Sequence, residues 1–179
     1  MKKIFFLILL SLTFALNAQN TNNLNNAAKI NLGFHGLDLS YALPLSNKFL
    51  WENNFGIGMG MNSHGSDAEF TFDLAKPVPY FKSEVKYMYN INKRSTKGKN
   101  TNNNSGNYIG LQTKYSFGNT KHYQLSSALL TEIHWGIQRS LGGKFLFSTH
   151  IGLGYIQDYD FNDGSLIPTA KINFAYRLF

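Results

Sequence analysis

The sequence predicts an all-β protein, a closed antiparallel up-and-down transmembrane β-barrel of about eight strands. Two observations support this prediction. Apolar and polar residues alternate along most of the chain, whereas the 3.6-residue spacing of amphipathic helices is almost absent. The alternating runs are about 9 to 15 residues long, compared with about five or six for ordinary globular strands and about 9 to 11 for a tilted membrane strand.

The first residues predict a cleaved signal peptide at positions 1–18. Lys2 and Lys3 form a basic start, an apolar run follows to Leu16, and Ala18 is a small residue suited to the cleavage site. The apolar run of about 13 residues is short for a membrane-spanning helix, which needs about 20. We expect an Asn-rich spacer at 19–26 and the barrel at 27–179. The chain has no cysteine, so burial or a membrane must stabilise it without disulfides.

The alternation predicts seven clear strands, and parity predicts an eighth. A barrel with both termini in the periplasm needs an even number of strands. The alternating phase breaks at His35 and Gly36, so a tight turn there would divide the first segment and add a strand at 27–34. A bulge in one long strand is the alternative. The seven clear strands are expected near residues 37–43, 48–61, 78–91, 107–117, 125–139, 144–157 and 169–179.

A short internal repeat supports a hairpin architecture. Lys48-Phe49-Leu50 precedes Gly56-Ile57-Gly58, and Lys144-Phe145-Leu146 precedes Gly152-Leu153-Gly154 at the same spacing. We interpret both copies as strands that follow tight turns at one barrel rim, with inward glycines that leave room in a narrow interior. Chance similarity between glycine-rich strands is the alternative.

The predicted topology assigns the connections to two sides. Segments 62–77, 118–124 and 158–168 are expected outside the cell, and segments 44–47, 92–106 and 140–143 in the periplasm. Segment 92–106 is long for a periplasmic turn, and it is basic and rich in asparagine. Charges clustered in a loop are usually solvated, so no nucleic-acid partner is predicted.

One face of the alternation places charged residues in the barrel interior. Eight strands leave room only for side chains, and buried charges are tolerated when they are paired. We therefore expect a plug of ion pairs rather than a pore, although conduction of a small ion or binding of a polar ligand stays open. The predicted ionic network of the lumen comprises Asp38, Glu52, Lys82, Glu84, Lys86, Lys114, Glu132, His134, His150, Lys171 and Arg177.

The sequence offers no convincing catalytic or metal-binding motif. It contains no HExxH, phosphate-binding glycine loop or Gly-x-Ser-x-Gly. His64 and Ser66 are spaced like the pair of outer-membrane lipid deacylases, but they fall in an expected loop instead of a membrane-facing strand. His134 and His150 are possible cross-strand neighbours, and two ligands alone make a poor metal site. We therefore predict no enzyme activity, no metal and no cofactor.

The carboxyl-terminal residues carry a resemblance to a known group. Ala175-Tyr176-Arg177-Leu178-Phe179 resembles the final-strand signature of Gram-negative outer-membrane β-barrels, which the barrel-assembly machinery recognises. The resemblance implies an outer-membrane location, contact with outer-membrane lipid, and Phe179 as an assembly signal. The stretch from Tyr80-Phe81 to Asn107-Tyr108 resembles uncharacterised small outer-membrane barrels of gliding and gut-type Gram-negative bacteria, which brings no known activity.

Three function classes follow from the sequence. The first and expected class is an outer-membrane barrel with a structural or surface-interaction role. The second is a lipid-modifying barrel enzyme, and the third is a soluble exported lipocalin-like barrel that binds an apolar ligand. The terminal Phe179, the long strands and aromatic residues near strand ends favour the membrane classes. The aromatic residues are Tyr41, Trp51, Trp135, Phe145 and Tyr176.

Overall fold

The computed structural model describes residues 24–64, 67–71, 77–119 and 125–179. The signal peptide expected at 1–18 lies outside these residues, as does most of the spacer expected at 19–26. Leu24, within that spacer, is buried against the barrel.

The described chain consists almost entirely of strands. A short helix, α1 (Ile91–Thr96), and a 3₁₀ turn (Asn102–Asn104) connect two of them. The strands are β1 (Ala27–Gly33), β2 (Gly36–Pro44), β3 (Phe49–Gly58), β4 (Gly60–His64), β5 (Asp67–Thr71), β6 (Val78–Tyr87), β7 (Gly106–Ser116), β8 (Ala128–Gly142), β9 (Phe145–Asp158) and β10 (Asp163–Arg177).

Eight of these strands close into one antiparallel barrel, which confirms the predicted all-β fold with a closed barrel of eight strands. Around the barrel the order is β1-β10-β9-β8-β7-β6-β3-β2. Barrel strands that follow one another along the chain are therefore also neighbours in the barrel. The first and last strands close the barrel, with Lys29 opposite Arg177 and Leu32 opposite Phe174. Strands β4 and β5 pair with each other as a separate hairpin between β3 and β6.

The expected division of the first segment into two strands is confirmed. Gly33 of β1 pairs with Gly36 of β2, and the chain turns at Phe34 and His35 between them. Gly36 has a φ of 127°, which is a conformation that favours glycine. The alternative of a bulge in one long strand is wrong.

Strand β10 begins earlier than the sequence predicts. The expected start was near Thr169, whereas the strand begins at Asp163, so the connection from β9 shortens to residues 159–162. Pro168 made this stretch resemble a loop, because proline removes a backbone donor. In the structure Pro168 pairs with Leu153 on β9. No residue of β1 pairs with Pro168, and proline is tolerated at such an edge position.

Two of the expected loops also contain regular structure. Segment 62–77 includes most of the β4–β5 hairpin, and segment 92–106 includes most of α1 and the whole 3₁₀ turn. Both close an end of the barrel, which we call the hairpin end and the helix end. At the hairpin end, Met61 and the partly buried Phe70 pack against an apolar cluster of inward side chains from β8, β9 and β10. That cluster comprises Ala128, Leu130, Ile156 and Ile167.

The helix end is closed by the connection from β6 to β7. Asn103 and Asn104 are buried there, and both have positive φ angles, which asparagine adopts more readily than most residues. Asn103 donates hydrogen bonds to Ser140 Oγ and the Gly143 carbonyl, both at 3.0 Å. One cluster of buried apolar residues at this end comprises Leu24, Ala42, Leu50, Met88, Ile91 and Tyr108.

The barrel is polar inside and apolar outside. Lys29, Glu52 and Lys86 are at most 4% exposed, whereas Leu39 and Ile133 on the outer face are about 60% exposed. This distribution follows from the alternation of apolar and polar residues in the sequence, because successive side chains of a strand point to opposite faces of the sheet. Within the described residues, no helix is long and apolar enough to cross a membrane.

Candidate functional site in the barrel interior

The interior contains most of the residues that the sequence places in the lumen. Lys171 is partly exposed, and Arg177 lies at the helix end, where its guanidinium donates to Asn103 Oδ1 at 3.1 Å. Arg177 therefore belongs to the end closure and not to the central network. The predicted residues that are buried are Asp38, Glu52, Lys82, Glu84, Lys86, Lys114, Glu132, His134 and His150.

Glu52 is the centre of the first charge cluster. Its two carboxylate oxygens accept from different lysines, with Lys29 Nζ at 2.8 Å and Lys86 Nζ at 2.9 Å. Lys86 Nζ also lies 3.7 Å from Glu84 and 5.1 Å from the centre of the Tyr108 ring. The cluster thus joins β1, β3 and β6 across the lumen, with both signs of charge in direct contact.

Lys29 is absent from the predicted network, although a signal for it was present. Ile30 and Leu32 alternate as outward residues of the first strand, which places Lys29 and Asn31 on the inner face. Both are buried in the structure. Lys29 is missing from the predicted network because the first strand was predicted only from the break in the alternation and from the even number of strands.

Two histidines form the second cluster with two glutamates. His134 Nε2 lies 3.0 Å from Glu84 Oε1, and His150 Nε2 lies 3.2 Å from Glu132 Oε1. The histidine rings stack with centres 3.9 Å apart, because Gly136 and Gly152 are their direct partners on the paired strands β8 and β9. The cluster is continuous with the first one through Glu84.

Glu132, His134 and His150 could also be considered as metal ligands. One ligand atom of each lies within 4.8 Å of the others, and imidazole and carboxylate groups suit zinc. The sequence identified the two histidines but not Glu132 as a third candidate. Both nitrogens of His134 already face carboxylates, Glu84 at 3.0 Å and Glu132 at 3.1 Å. These contacts place both ring nitrogens of His134 against carboxylates of the protein itself.

Asp38 forms a third, hydrogen-bonded cluster. Its Oδ1 accepts from the side-chain amides of Asn31 and Asn54, each at 2.7 Å, and its Oδ2 accepts from the Tyr80 hydroxyl at 2.7 Å. Lys82 Nζ lies at a longer 3.8 Å. The carboxylate is thus surrounded by donors, as a buried charge requires.

Glycines on the inner face make this packing possible. A Cβ atom at Gly110 would overlap the imidazole of His134, and one at Gly136 would lie 2.5 Å from the Tyr108 ring. Each of these large side chains therefore lies over the glycine with which it is paired on the neighbouring strand. This explains why glycines and bulky polar residues share the inner face.

His35 lies outside the strands, in the turn between β1 and β2. Burial lowers the pKa of its imidazole to about 3, and the positive charge of Lys114 acts in the same direction. His35 is therefore neutral at physiological pH. It faces the cavity described below without adding to its charge.

Neither sequence relatives nor structural neighbours assign a role to these clusters. Comparisons with models of protein families, with curated proteins and with solved structures found no match. The spacing of His64 and Ser66 is not informative either, because Ser66 lies outside the described residues. Function is therefore inferred from the geometry of the barrel.

Proposed function

We propose that this chain is an outer-membrane β-barrel protein with a closed interior and a structural or surface-interaction role. The observation that carries the proposal is the distribution of charged and apolar side chains over the inner and outer faces of the barrel. A soluble barrel buries apolar side chains and exposes charged ones, whereas this barrel does the reverse. The same observation disfavours a lipocalin-like barrel, which needs an apolar interior.

The outer face supports contact with a bilayer. Leu111, Ile133 and Leu153 pair side by side on β7, β8 and β9, and each is between 57% and 59% exposed. Along their paired stretches the eight strands satisfy one another's backbone hydrogen bonds, as the hydrocarbon of a bilayer requires. Strands β3 and β6 each contain 10 residues, which is the length a tilted membrane strand needs.

Exposed aromatic residues near one rim support the same placement. Trp51 and Phe145 lie near the starts of β3 and β9, and Tyr41 and Tyr176 lie near the ends of β2 and β10. All four are near the helix end. Aromatic side chains form girdles where membrane barrels meet the bilayer interface.

The closed interior argues against a pore. Lys29, Glu52, Lys86, Glu84, His134, Glu132 and His150 form a continuous series in which successive charged or titratable groups lie within 4.0 Å of each other. The ends of the barrel are covered by the β4–β5 hairpin and by the α1 connection. We therefore infer that the protein acts through its lipid-facing and outer surfaces, and that it conducts no steady ion current.

Two measurements test this proposal. In cells that express the full chain, the protein should sediment with the outer membrane and resist extraction by carbonate. Recovery as a soluble periplasmic protein would contradict the membrane placement. In planar bilayers the purified protein should show no large, steady conductance, and a nanosiemens-scale open state would contradict the closed interior.

A further inference from the structure

A cavity lies in the barrel interior toward the hairpin end, beyond the Glu52 cluster. Its volume is about 320 Å³, which is within the range of about 300–1,000 Å³ typical of small-molecule sites. Met59 and Phe70 border it on the side of the β4–β5 hairpin, and Tyr80 and Leu130 border it inside the barrel. The ion-pair network therefore does not fill the whole lumen.

The lining of the cavity includes residues that are exposed on the outside of the barrel wall. Strand β1 ends at Gly33, opposite Asn173, whereas β10 continues to Asp163 without a partner residue on β1. The β1–β2 turn and the part of β10 without a β1 partner therefore lie on either side of a gap in the strand pairing, which we call the lateral opening. Phe34 and Pro168 line the cavity and are exposed on the outside, so the space continues from the lipid-facing surface to the buried interior.

Three lysines and two carboxylates line the inner part of this cavity. They are Lys82, Lys114 and Lys171, and Asp38 and Glu132. Among the side chains that the structure describes, no carboxylate oxygen lies within 4.0 Å of Lys114 or Lys171. Lys114 Nζ instead lies 4.4 Å from the centre of the Tyr80 ring. A buried ammonium group without a close anion is costly, so this wall is suited to a negatively charged ligand.

Both carboxylates that line the cavity have close polar neighbours. Asp38 accepts three hydrogen bonds from neutral side chains, and Glu132 faces the two stacked histidines. The charge of Lys114 and Lys171 is thus not balanced by a direct contact within the described residues. The anion that balances it is expected to come from a ligand.

Several buried polar atoms point to the same conclusion. Among the buried side-chain atoms without a hydrogen-bond partner within the described residues are Gln112 Oε1, Glu132 Oε1, Thr169 Oγ1, His35 Nδ1 and His150 Nδ1. All five of these residues line the cavity. Buried polar groups are nearly always paired, so their concentration around one cavity is typical of a binding site for a polar group.

We propose that this cavity binds the carboxylate head of a single-chain amphiphile such as a fatty acid. The carboxylate lies between Lys114 and Lys171, and the alkyl chain leaves through the lateral opening past Phe34 and Pro168. The lysines supply charge-assisted hydrogen bonds, and the exposed apolar rim of the opening suits a hydrocarbon chain. The lateral route rests on the proposed membrane placement, whereas the binding site itself does not.

The test measures binding to the purified, folded barrel in a non-ionic detergent. A fluorescent fatty acid, cis-parinarate, is titrated into the protein and into protein-free micelles, and dodecanoate is used as the competitor. We expect saturable binding that dodecanoate displaces. Acetate, which has the head alone, and dodecanol, which has an uncharged head, should each compete far less well.

Charge-removing variants locate the site. Lys114→Gln and Lys171→Gln should each weaken dodecanoate binding by about tenfold or more, because each removes a charged hydrogen-bond donor. Lys97→Gln, in an exposed position after α1, is the matched control and should bind like the wild type. Heat-modifiable migration in electrophoresis shows which variants fold. Lys171 is partly exposed, so its variant keeps the test informative if Lys114→Gln does not fold.

Several results would overturn the proposal. These are the absence of saturable binding to folded wild-type protein, wild-type affinity in both cavity variants, or equal competition by acetate or dodecanol. Membrane sedimentation separates this outcome from a failure of the proposed function. A protein that is soluble but binds dodecanoate would contradict the membrane placement alone, and a membrane protein without binding would contradict the site alone.

Discussion

Removal of the Glu52 charge should destabilise the barrel more than almost any other single change in the interior. Glu52 is 4% exposed and holds Lys29 and Lys86 at 2.8 and 2.9 Å. Glu52→Gln preserves the size of the side chain but leaves two buried ammonium groups without this anion. Lys86 retains Glu84 at 3.7 Å. Lys29 retains no carboxylate within 4.0 Å among the described side chains.

The expected magnitude follows from the burial of the pair. Removal of one partner of a buried ion pair costs about 3–5 kcal/mol, because the remaining charge is desolvated and unpaired. We therefore expect Glu52→Gln to lower the free energy of unfolding by about this amount. The double variant Lys29→Met/Glu52→Gln removes the stranded charge as well, so it should be clearly more stable than Glu52→Gln alone.

The assay is equilibrium unfolding of the barrel in lipid vesicles with urea. Tryptophan fluorescence and heat-modifiable migration report the folded fraction, and the outward residues Trp51 and Trp135 provide the fluorescence. The reasoning would be refuted if Glu52→Gln cost less than about 1 kcal/mol, which is typical of an exposed pair. It would also be refuted if Lys29→Met failed to restore stability in the Glu52→Gln background.

Three further predictions concern the outer face, the packing and the helix end. Ile133→Lys should cost about 2–4 kcal/mol in vesicles while Ile133→Leu is nearly neutral, and a harmless lysine in urea titrations would contradict lipid contact. Gly110→Ala should cost about 1–3 kcal/mol, because its Cβ overlaps the ring of His134, and an unchanged unfolding midpoint would contradict that packing. Asn103→Ala should speed hydrogen exchange at the helix end, because it removes side-chain hydrogen bonds to Ser140 and Gly143, and unchanged exchange would show that they do not hold this closure.

The sequence by itself determined the class of fold and the content of the two faces. Side chains alternate strictly along a strand, so a list of residues at every second position is also a list of neighbours on one face. The phase break at His35 and Gly36 marked the place of the first turn, because a one-residue slip moves every side chain to the opposite face. The structure then decided for a turn over a bulge. The burial of Glu52, Glu84 and Glu132 follows from the same rule.

Only the tertiary structure decided how the ends of the barrel are closed. Pro168 obscured the periodicity of β10 in the sequence. A proline is tolerated at this position of β10 because β1 ends before it and needs no backbone donor there. The connection 92–106 has no strong pattern of its own. Its asparagines gain their roles from contacts with distant residues, such as Asn103 with Ser140 and Asn104 with Asn25.

The tertiary structure also decided which charges meet. Lys29 reaches Glu52 although β2 lies between their strands, and His134 of β8 reaches Glu84 of β6 across β7. Alternation specifies the face of the barrel to which a side chain points. It does not specify the position of that side chain along the barrel axis, or which residues lie across the lumen from it. Those depend on the stagger of the strands and the closure of the barrel, to which every strand contributes. The lateral opening beside β10 has the same origin, since it exists only because two neighbouring strands end at different heights.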